Sequence, residues 1–416
     1  MKPRETAWLF HGGRILDAPR ATARGKNSDR YAEAVLVRGE LIEATGPLAR
    51  LRKLAPRGTR SVNLEGGTLT PGFVDAHIHL LTWIRAVSDV WIEAQTPEGL
   101  ERAVQASLTR AKEGDWITLR GWVPREWTRD LRSLATLDRI LRDRPLVLLA
   151  VDGHSAWGNT LAFQKAGLGP HTTDPPGGTV DRDRSGALTG IFIEMAASLL
   201  LRAIPRRREP SEDLARAIRR AHSLGITGAH DFDRSDIWGA AQELSARDKL
   251  PFRLLLSVPA AKLEAAEELE LRAQWGNERV RVGPVKFFAD GTLGSGTALL
   301  EERYDDHTGT GMEVISRAEL EERCARARKA GLTVAIHAIG DRAVRNALDA
   351  IQAAIEGGGD FPLPPRIEHV QLAREEDFPR FKGLGVLASI QPIHQVTDRK
   401  VAARKWGART VRSYAW

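Results

Sequence analysis

Two histidines stand one residue apart at the end of a short apolar run, in the stretch TPGFVDAHIH that spans Thr70 to His79. Side chains alternate along an extended strand, so His77 and His79 lie on one side of it. Two imidazoles at that spacing can grip one divalent metal ion. An isolated His-x-His says little, but here a Pro-Gly turn and an apolar strand precede it, which is the context such a site needs. Two further histidines close strand-like runs: His337 follows Thr333–Ile336, and His369 follows Arg366–Glu368. Each alone reads as a core histidine satisfied by a hydrogen bond. Together with the first pair, at the same end of successive strands, they make four neutral imidazoles that converge and call for a cation. Lys286 lies within the apolar run VKFFADG. Burying an ammonium is costly. A salt bridge, for example to Asp290 or Glu313, would relieve the cost. So would reaction of the neutral amine with carbon dioxide, which gives an anionic carbamate able to bridge two divalent ions. The residues alone leave both open.

The elements that must position these groups emerge from Leu69 onward. Strand-like runs at Gly72–Ala76, Ile226–His230, Phe252–Val258, Val282–Phe288, Thr333–His337, Arg366–Val370 and Val386–Gln391 alternate with helical segments. The helices read as Ser211–Leu224, Ile237–Arg247, Ser316–Ala330, Ala343–Ile355 and Glu375–Lys382. Such alternation predicts an α/β protein with a parallel sheet covered by helices. Seven strand–helix steps suit a β/α barrel, whose closed form has eight strands, better than a doubly wound sheet. Residues 7–70 read as a small β unit, with strands at Trp8–Leu16, Ala34–Arg38, Glu40–Thr45 and Ser61–Leu64. Residues 83–210 break the rhythm as a long insertion with two strands, Trp116–Arg120 and Leu146–Val151. It holds Trp83, Trp91, Trp116, Trp122, Trp127 and Trp157. These tryptophans read as local core or as an aromatic wall against a substrate.

The chain has 416 residues, 42% of them hydrophobic and 28% charged, which is ordinary for a globular protein. Its one cysteine, Cys324, forms no internal disulfide, so a reducing compartment is expected. The N-terminus lacks a secretory apolar run, and no apolar stretch approaches the roughly 20 residues that span a bilayer. The expectation is a cytoplasmic protein that does not engage a membrane. The net charge is +7, so nucleic acid is a class to consider. Most arginines are interspersed with acids, however. The clusters Arg206–Arg208 and Arg399–Arg412 read as solvated faces, and no helix-turn-helix, zinc-finger or RNP signature is present. No nucleic-acid partner is expected. A homo-oligomer is left open.

The motifs TPGFVDAHIHL, DGHSAWGNTLAFQKAGL, DPPGGTVDRDRSGALTGIF, GITGAHDF, VGPVKFFADGTLGSGTALL, IHAIGDRAV, RIEHVQLA and LASIQPIHQVTD run almost from end to end. They resemble the amidohydrolase superfamily, in the branch typified by N-substituted formamide deformylase. The resemblance implies a (β/α)8 TIM-type barrel with a small β-sandwich built from both chain ends. It implies one or two divalent metal ions, usually zinc, with His77, His79, His337 and His369 as ligands and Lys286 as a carbamylated bridge. It places His154, His230, Asp290 and His394 among the groups that support the ligands or face the substrate. It implies hydrolysis of an amide or formamide carbon–nitrogen bond of a small molecule, other than a peptide bond. His230 or His154 would hold the oxyanion.

In the family an aspartate ends the eighth strand, binding metal and carrying protons. Here the last helix is expected in Lys400–Tyr414, and Asp398 follows the seventh strand in a loop, so it is no substitute. The expectation is an incomplete barrel over residues 70–416 that lacks its eighth strand, preceded by a partial β-sandwich over 1–69. Catalysis by such a truncated chain is in question. The alternative is a non-catalytic remnant that retains metal or partner binding.

Overall fold

A computed structural model describes residues 6–16, 31–128, 130–151, 153–205, 209–233, 236–306 and 309–413. The chain divides into two compact units, Met1–Phe73 and Val74–Trp416.

The first unit is one five-stranded sheet. Its strands are β1 (Ala7–Leu16), β2 (Tyr31–Arg38), β3 (Leu41–Gly46), β4 (Arg60–Asn63) and β5 (Thr68–Leu69). The order is β3-β2-β1-β4, with β5 also beside β1. Gly39, at φ +58°, makes the two-residue turn between β2 and β3. The helix Leu48–Leu54 turns Leu51 onto Leu9, Ala34 and Leu36.

In the second unit, β6 (Phe73–Ile78) is followed by the insertion, which is a lobe with its own sheet. Its strands are β7 (Val90–Trp91), β8 (Ile117–Trp122), β9 (Leu146–Ala150), β10 (Ser155–Gly158), β11 (Gly178–Arg182) and β12 (Leu188–Glu194). The order is β11-β12-β10-β9-β8-β7. The sequence suggests two strands here, yet six form. Strands β10 and β11 are short and rich in Ser, Gly, Asp and Arg, so they carry no apolar run. Antiparallel pairing with β9 and β12 makes them strands. Trp116, Trp122, Trp127 and Trp157 are buried in this lobe, with the rings of Trp122 and Trp157 5.3 Å apart. For these four the local-core reading holds. Trp83 packs against barrel helices, and Trp91 is 48% exposed.

The barrel strands that follow are β13 (Ile226–Asp231), β14 (Arg253–Pro259), β15 (Val280–Phe288), β16 (Val334–Ala338), β17 (Arg366–His369) and β18 (Leu387–Ser389). With β6 they form a seven-stranded sheet in the order β18-β17-β16-β15-β14-β13-β6, and pairing from β13 to β18 is parallel. Strand β16 is buried at every residue, as expected of a strand covered on both faces. Its crossover helix, Asp341–Glu356, buries Ala343, Val344, Ala347, Leu348, Ile351 and Ala354 at helical spacing. The sheet curls into a nearly closed barrel, so that Arg366 on β17 reaches the Ala76 carbonyl on β6 at 2.8 Å. The last helix, Arg399–Trp406, ends at Gly407 and continues as a short 3-10 turn, Gly407–Arg412. The Arg206–Arg208 cluster and Tyr414 lie outside the described residues. Among the described residues no helix is long and apolar enough to cross a membrane.

Candidate metal centre and active site

The C-terminal ends of the barrel strands carry the histidines. His77 is the next-to-last residue of β6, and His79 is the residue that opens the helix Leu80–Ser88. That helix start is fixed by two buried carboxylates from the end of β13. Asp231 accepts the Leu80 N–H at 2.8 Å, and Asp233 accepts the Leu81 N–H at 2.5 Å and the Thr82 hydroxyl at 2.7 Å. Asp233 also lies 3.9 Å from His79 Nδ1. Burial raises both carboxyls, Asp233 to about 6.

His337 and His369 come from the ends of β16 and β17. Their ring centroids are 4.6 Å apart, and His369 is 4.9 Å from His77. Three of the four expected imidazoles therefore form one cluster. His79 stands at its edge, 5.7 Å from His77, with 41% of its side chain exposed.

Each clustered ring has one nitrogen engaged. His77 Nδ1 meets Glu368 at 2.6 Å, His369 Nδ1 meets the Gln391 side-chain oxygen at 2.6 Å, and His337 Nε2 meets the Gly291 carbonyl at 3.0 Å. All three partners are acceptors, so each imidazole donates there and keeps a lone pair on its other nitrogen. Metal-binding histidines are oriented in this manner. Burial lowers the pKa of His77, His337 and His369, the last two well below the ordinary histidine value, so the rings are neutral.

Lys286 projects from β15 into the same region. Its side chain is buried, and its Nζ has no hydrogen-bond partner among the described residues. The rings of Phe288 and Phe232 lie 4.8 and 5.1 Å from it. Burial lowers the amine to about 8. The salt bridges that the sequence allows are not made. Asp290 spends its carboxylate on the backbone N–H groups of Leu299 (2.9 Å), Gly340 (2.9 Å) and Ile339 (3.1 Å), and Glu313 accepts from Asn346 at 3.3 Å. Asp290 thus ties three loop positions together and stands 3.6 Å from His337 Nε2. Burial raises it to about 7, against those three donors.

Neutral nitrogen donors beside an orphaned buried amine fit a divalent cation in their chemistry. Among the described residues, no three His, Cys, Asp or Glu side chains lie close enough to enclose an ion.

Three residues outside the sequence reading complete the site. Glu368 supports His77, and Gln391 supports His369. Glu368 and His369 are adjacent in a strand, so alternation should send them to opposite faces. His369 instead adopts φ +76° and Val370 φ +45°. This left-handed stretch, strained above all at a β-branched residue, turns both side chains toward His77. Burial alone would raise Glu368, but the His77 hydrogen bond and the Arg366 charge hold it at about 2. The third is Glu194 at the end of β12, also left-handed at φ +54°. It accepts His154 Nδ1 at 2.7 Å and the Thr297 hydroxyl, from a barrel loop, at 2.7 Å. The lobe thereby brings His154 to 6.0 Å from the His337 ring. His394 lies 5.6 Å from His369 and bonds Asp398 at 3.0 Å. His230 occupies a lower position: its Nδ1 meets Arg366 at 2.6 Å, two residues before Phe232, whose ring stacks on His77. A glutamate directly before a strand-ending histidine was the available signal for Glu368. Gln391 opens the QPIH stretch that ends at His394, without a role of its own there, and nothing local marked Glu194.

The amidohydrolase family model matches residues 60–415. The protein named putative amidohydrolase YtcJ, of Bacillus subtilis, is 32% identical over 98% of this chain and 77% of its own length. N-substituted formamide deformylase of Arthrobacter pascens is 28% identical, over 89% of this chain and 71% of its own. The crystal structure of an uncharacterized metal-dependent hydrolase from Pyrococcus horikoshii superposes with a TM-score of 0.77 at 27% identity. It covers 98% of this chain and 79% of that one.

Proposed function

The chain belongs to the amidohydrolase family, and from that premise we propose that it hydrolyses an amide or formamide carbon–nitrogen bond, outside peptides, with metal-activated water. The observation that carries this reading is the cluster of three neutral imidazoles from β6, β16 and β17 beside the unpartnered amine of Lys286. His77, His337 and His369 would hold one or two divalent ions, zinc in the first instance, with His79 at the rim. A divalent ion there would bring the pKa of a water toward neutrality and polarise a carbonyl oxygen. The similarity to a protein named for deformylation of N-substituted formamides supports the bond class.

The chain's own groups do the rest. Glu368 and Gln391 hold the His77 and His369 rings with one lone pair each to offer. Lys286, with its amine lowered by burial, reacts with carbon dioxide: a nitrogen–carbon bond forms, a proton leaves, and an anionic carbamate replaces the stranded ammonium. Of the two histidines in question for the oxyanion, His154 takes the role. Glu194 holds its ring through Nδ1, and an N–H on its other nitrogen would donate to the oxygen that gains charge. Phe232 and Phe288 cover Lys286 and keep water from it.

The test is to measure bound metal in the purified protein and its release of amine from a panel of N-formyl and N-acyl amines. Turnover that a chelator abolishes and zinc restores would support the reading. Metal bound without turnover of any member would favour a non-catalytic binding protein. Failure to bind metal would sink the proposal.

A further inference from the structure

The two strands that end the order of the barrel sheet, β6 and β18, are joined inside the barrel through one guanidinium. Arg366 lies on β17 and is 8% exposed. Its Nη2 reaches the Ala76 carbonyl on β6 at 2.8 Å and the Ser389 hydroxyl oxygen on β18 at 2.7 Å. Its Nε and Nη2 fork onto the two oxygens of Glu368 at 2.8 and 3.1 Å. Its Nη1 meets His230 Nδ1 on β13 at 2.6 Å.

Arginine has donors only, so every partner must accept. His230 therefore gives the lone pair of Nδ1 and carries its proton on Nε2. Glu368, ionised by this fork, can only accept from His77, so the His77 proton sits on Nδ1 and the lone pair on Nε2. Ala76 is the residue before His77. The same guanidinium thus holds the backbone of that ligand directly and its ring through Glu368.

We propose that Arg366 is the positioning residue of the site. It clamps β6 to β17 and β18 and, through Glu368, fixes the one His77 tautomer that offers Nε2 to a metal ion. The inference rests on the metal-site reading above. Stability alone is a weak reason for a buried arginine–glutamate pair, since apolar replacements are often no worse. Lysine cannot substitute, because a point charge does not fork onto a carboxylate while also reaching a carbonyl and a hydroxyl. His230 belongs to this clamp: its Nδ1 is occupied by a group that never gives up its proton.

The experiment compares wild type with R366Q, R366K and E368Q. Protein with 15N-labelled histidine, stripped of metal, is read by NMR for the His77 tautomer, assigned by difference with H77Q. Zinc affinity is measured by competition with a chromophoric chelator, and thermal unfolding is followed on the stripped forms. The wild type should show the proton on Nδ1, and the variants a mixture of tautomers. Zinc should bind roughly 10- to 100-fold more weakly to all three variants, the usual cost of losing support behind a ligand. An unchanged tautomer with unchanged zinc affinity, even with a lowered melting temperature, would reduce Arg366 to a structural residue and overturn the proposal. Should R366Q not fold, R366K and E368Q decide. Should wild type bind no zinc, the hydrolase reading fails on its own, while the tautomer measurement still decides on the clamp.

Discussion

The barrel and the lobe each bring an imidazole–carboxylate pair to the site, and the two pairs differ in what stands behind them. In the barrel, His77 meets Glu368 at 2.6 Å, with side chains 9% and 0% exposed and the guanidinium of Arg366 on the far side of the carboxylate. In the lobe, His154 meets Glu194 at 2.7 Å, with side chains 25% and 7% exposed and the hydroxyl of Thr297 behind. Burial lowers the pKa of His77 against the pull of Glu368, and the nearby Lys286 and Arg366 charges lower it further, so His77 stays neutral. Among the described residues the lobe carboxylate has no arginine behind it, only the Thr297 hydroxyl, and its histidine is the more exposed of the two. The same two residue types thus stand in different settings, and under the proposed function the barrel pair would hold a cation while the lobe pair would face the substrate.

The harshest break of this contrast is His77→Ala. It removes a lone pair from the cluster and leaves the buried Glu368–Arg366 pair without its third member. Bound zinc should fall to background, and activity by about 10³-fold or more, the several kcal/mol that a Lewis acid contributes. Metal analysis of the purified variant checks this, and full occupancy would remove His77 from the site.

Lys286→Ala should come next, with activity lower on the order of 10²-fold and less metal bound. Short carboxylic acids should partly restore both by standing in for the carbamate. The lowered amine adds a pH signature. With a folded value of about 8 against about 10.5 in the unfolded chain, the unfolded state binds more protons between those limits, so stability rises with pH across that window. The neutral amine that reacts with carbon dioxide also accumulates above pH 8. Reconstitution of metal-free protein with zinc and bicarbonate should therefore be faster at pH 8.5 than at pH 6.5. A rate independent of bicarbonate at both pH values would remove the carbamate.

The barrel half of this comparison was largely legible in the sequence, and the lobe half was not. Seven barrel strands follow from apolar runs that need no partner to be recognised, such as Val334–Ala338, and the histidines at their ends follow with them. The support behind those histidines is harder to read. Glu368 and His369 face one site because the backbone turns left-handed at His369, and strand alternation gives no hint of it. Glu194 lies 40 residues from His154 and 103 from Thr297, so only the assembled lobe brings the three together. Strands β10 and β11 escaped notice for a related reason: Ser155–Gly158 and Gly178–Arg182 become strands through their neighbours, and isolated propensity does not mark them.

A gentler break is His154→Ala. Bound metal should stay at the wild-type level, because the barrel cluster is untouched, while kcat falls by no more than about 10²-fold, the low end of the cost of one oxyanion donor. Loss of metal in this variant would show that lobe and barrel share one task and would dissolve the contrast.

The smallest effect should come from Thr297→Val, which keeps the shape of the side chain and removes the hydroxyl behind Glu194. That hydroxyl donates to Glu194 at 2.7 Å and accepts the Thr292 N–H at 2.9 Å. A neutral hydrogen bond of this kind contributes about 0.5–1.5 kcal/mol, roughly 2- to 12-fold. If the lobe pair serves the substrate and not the metal, kcat drops within that range while bound zinc stays at the wild-type level. A loss of zinc in this variant would give the lobe pair the same task as the barrel pair, and the two would differ only in place.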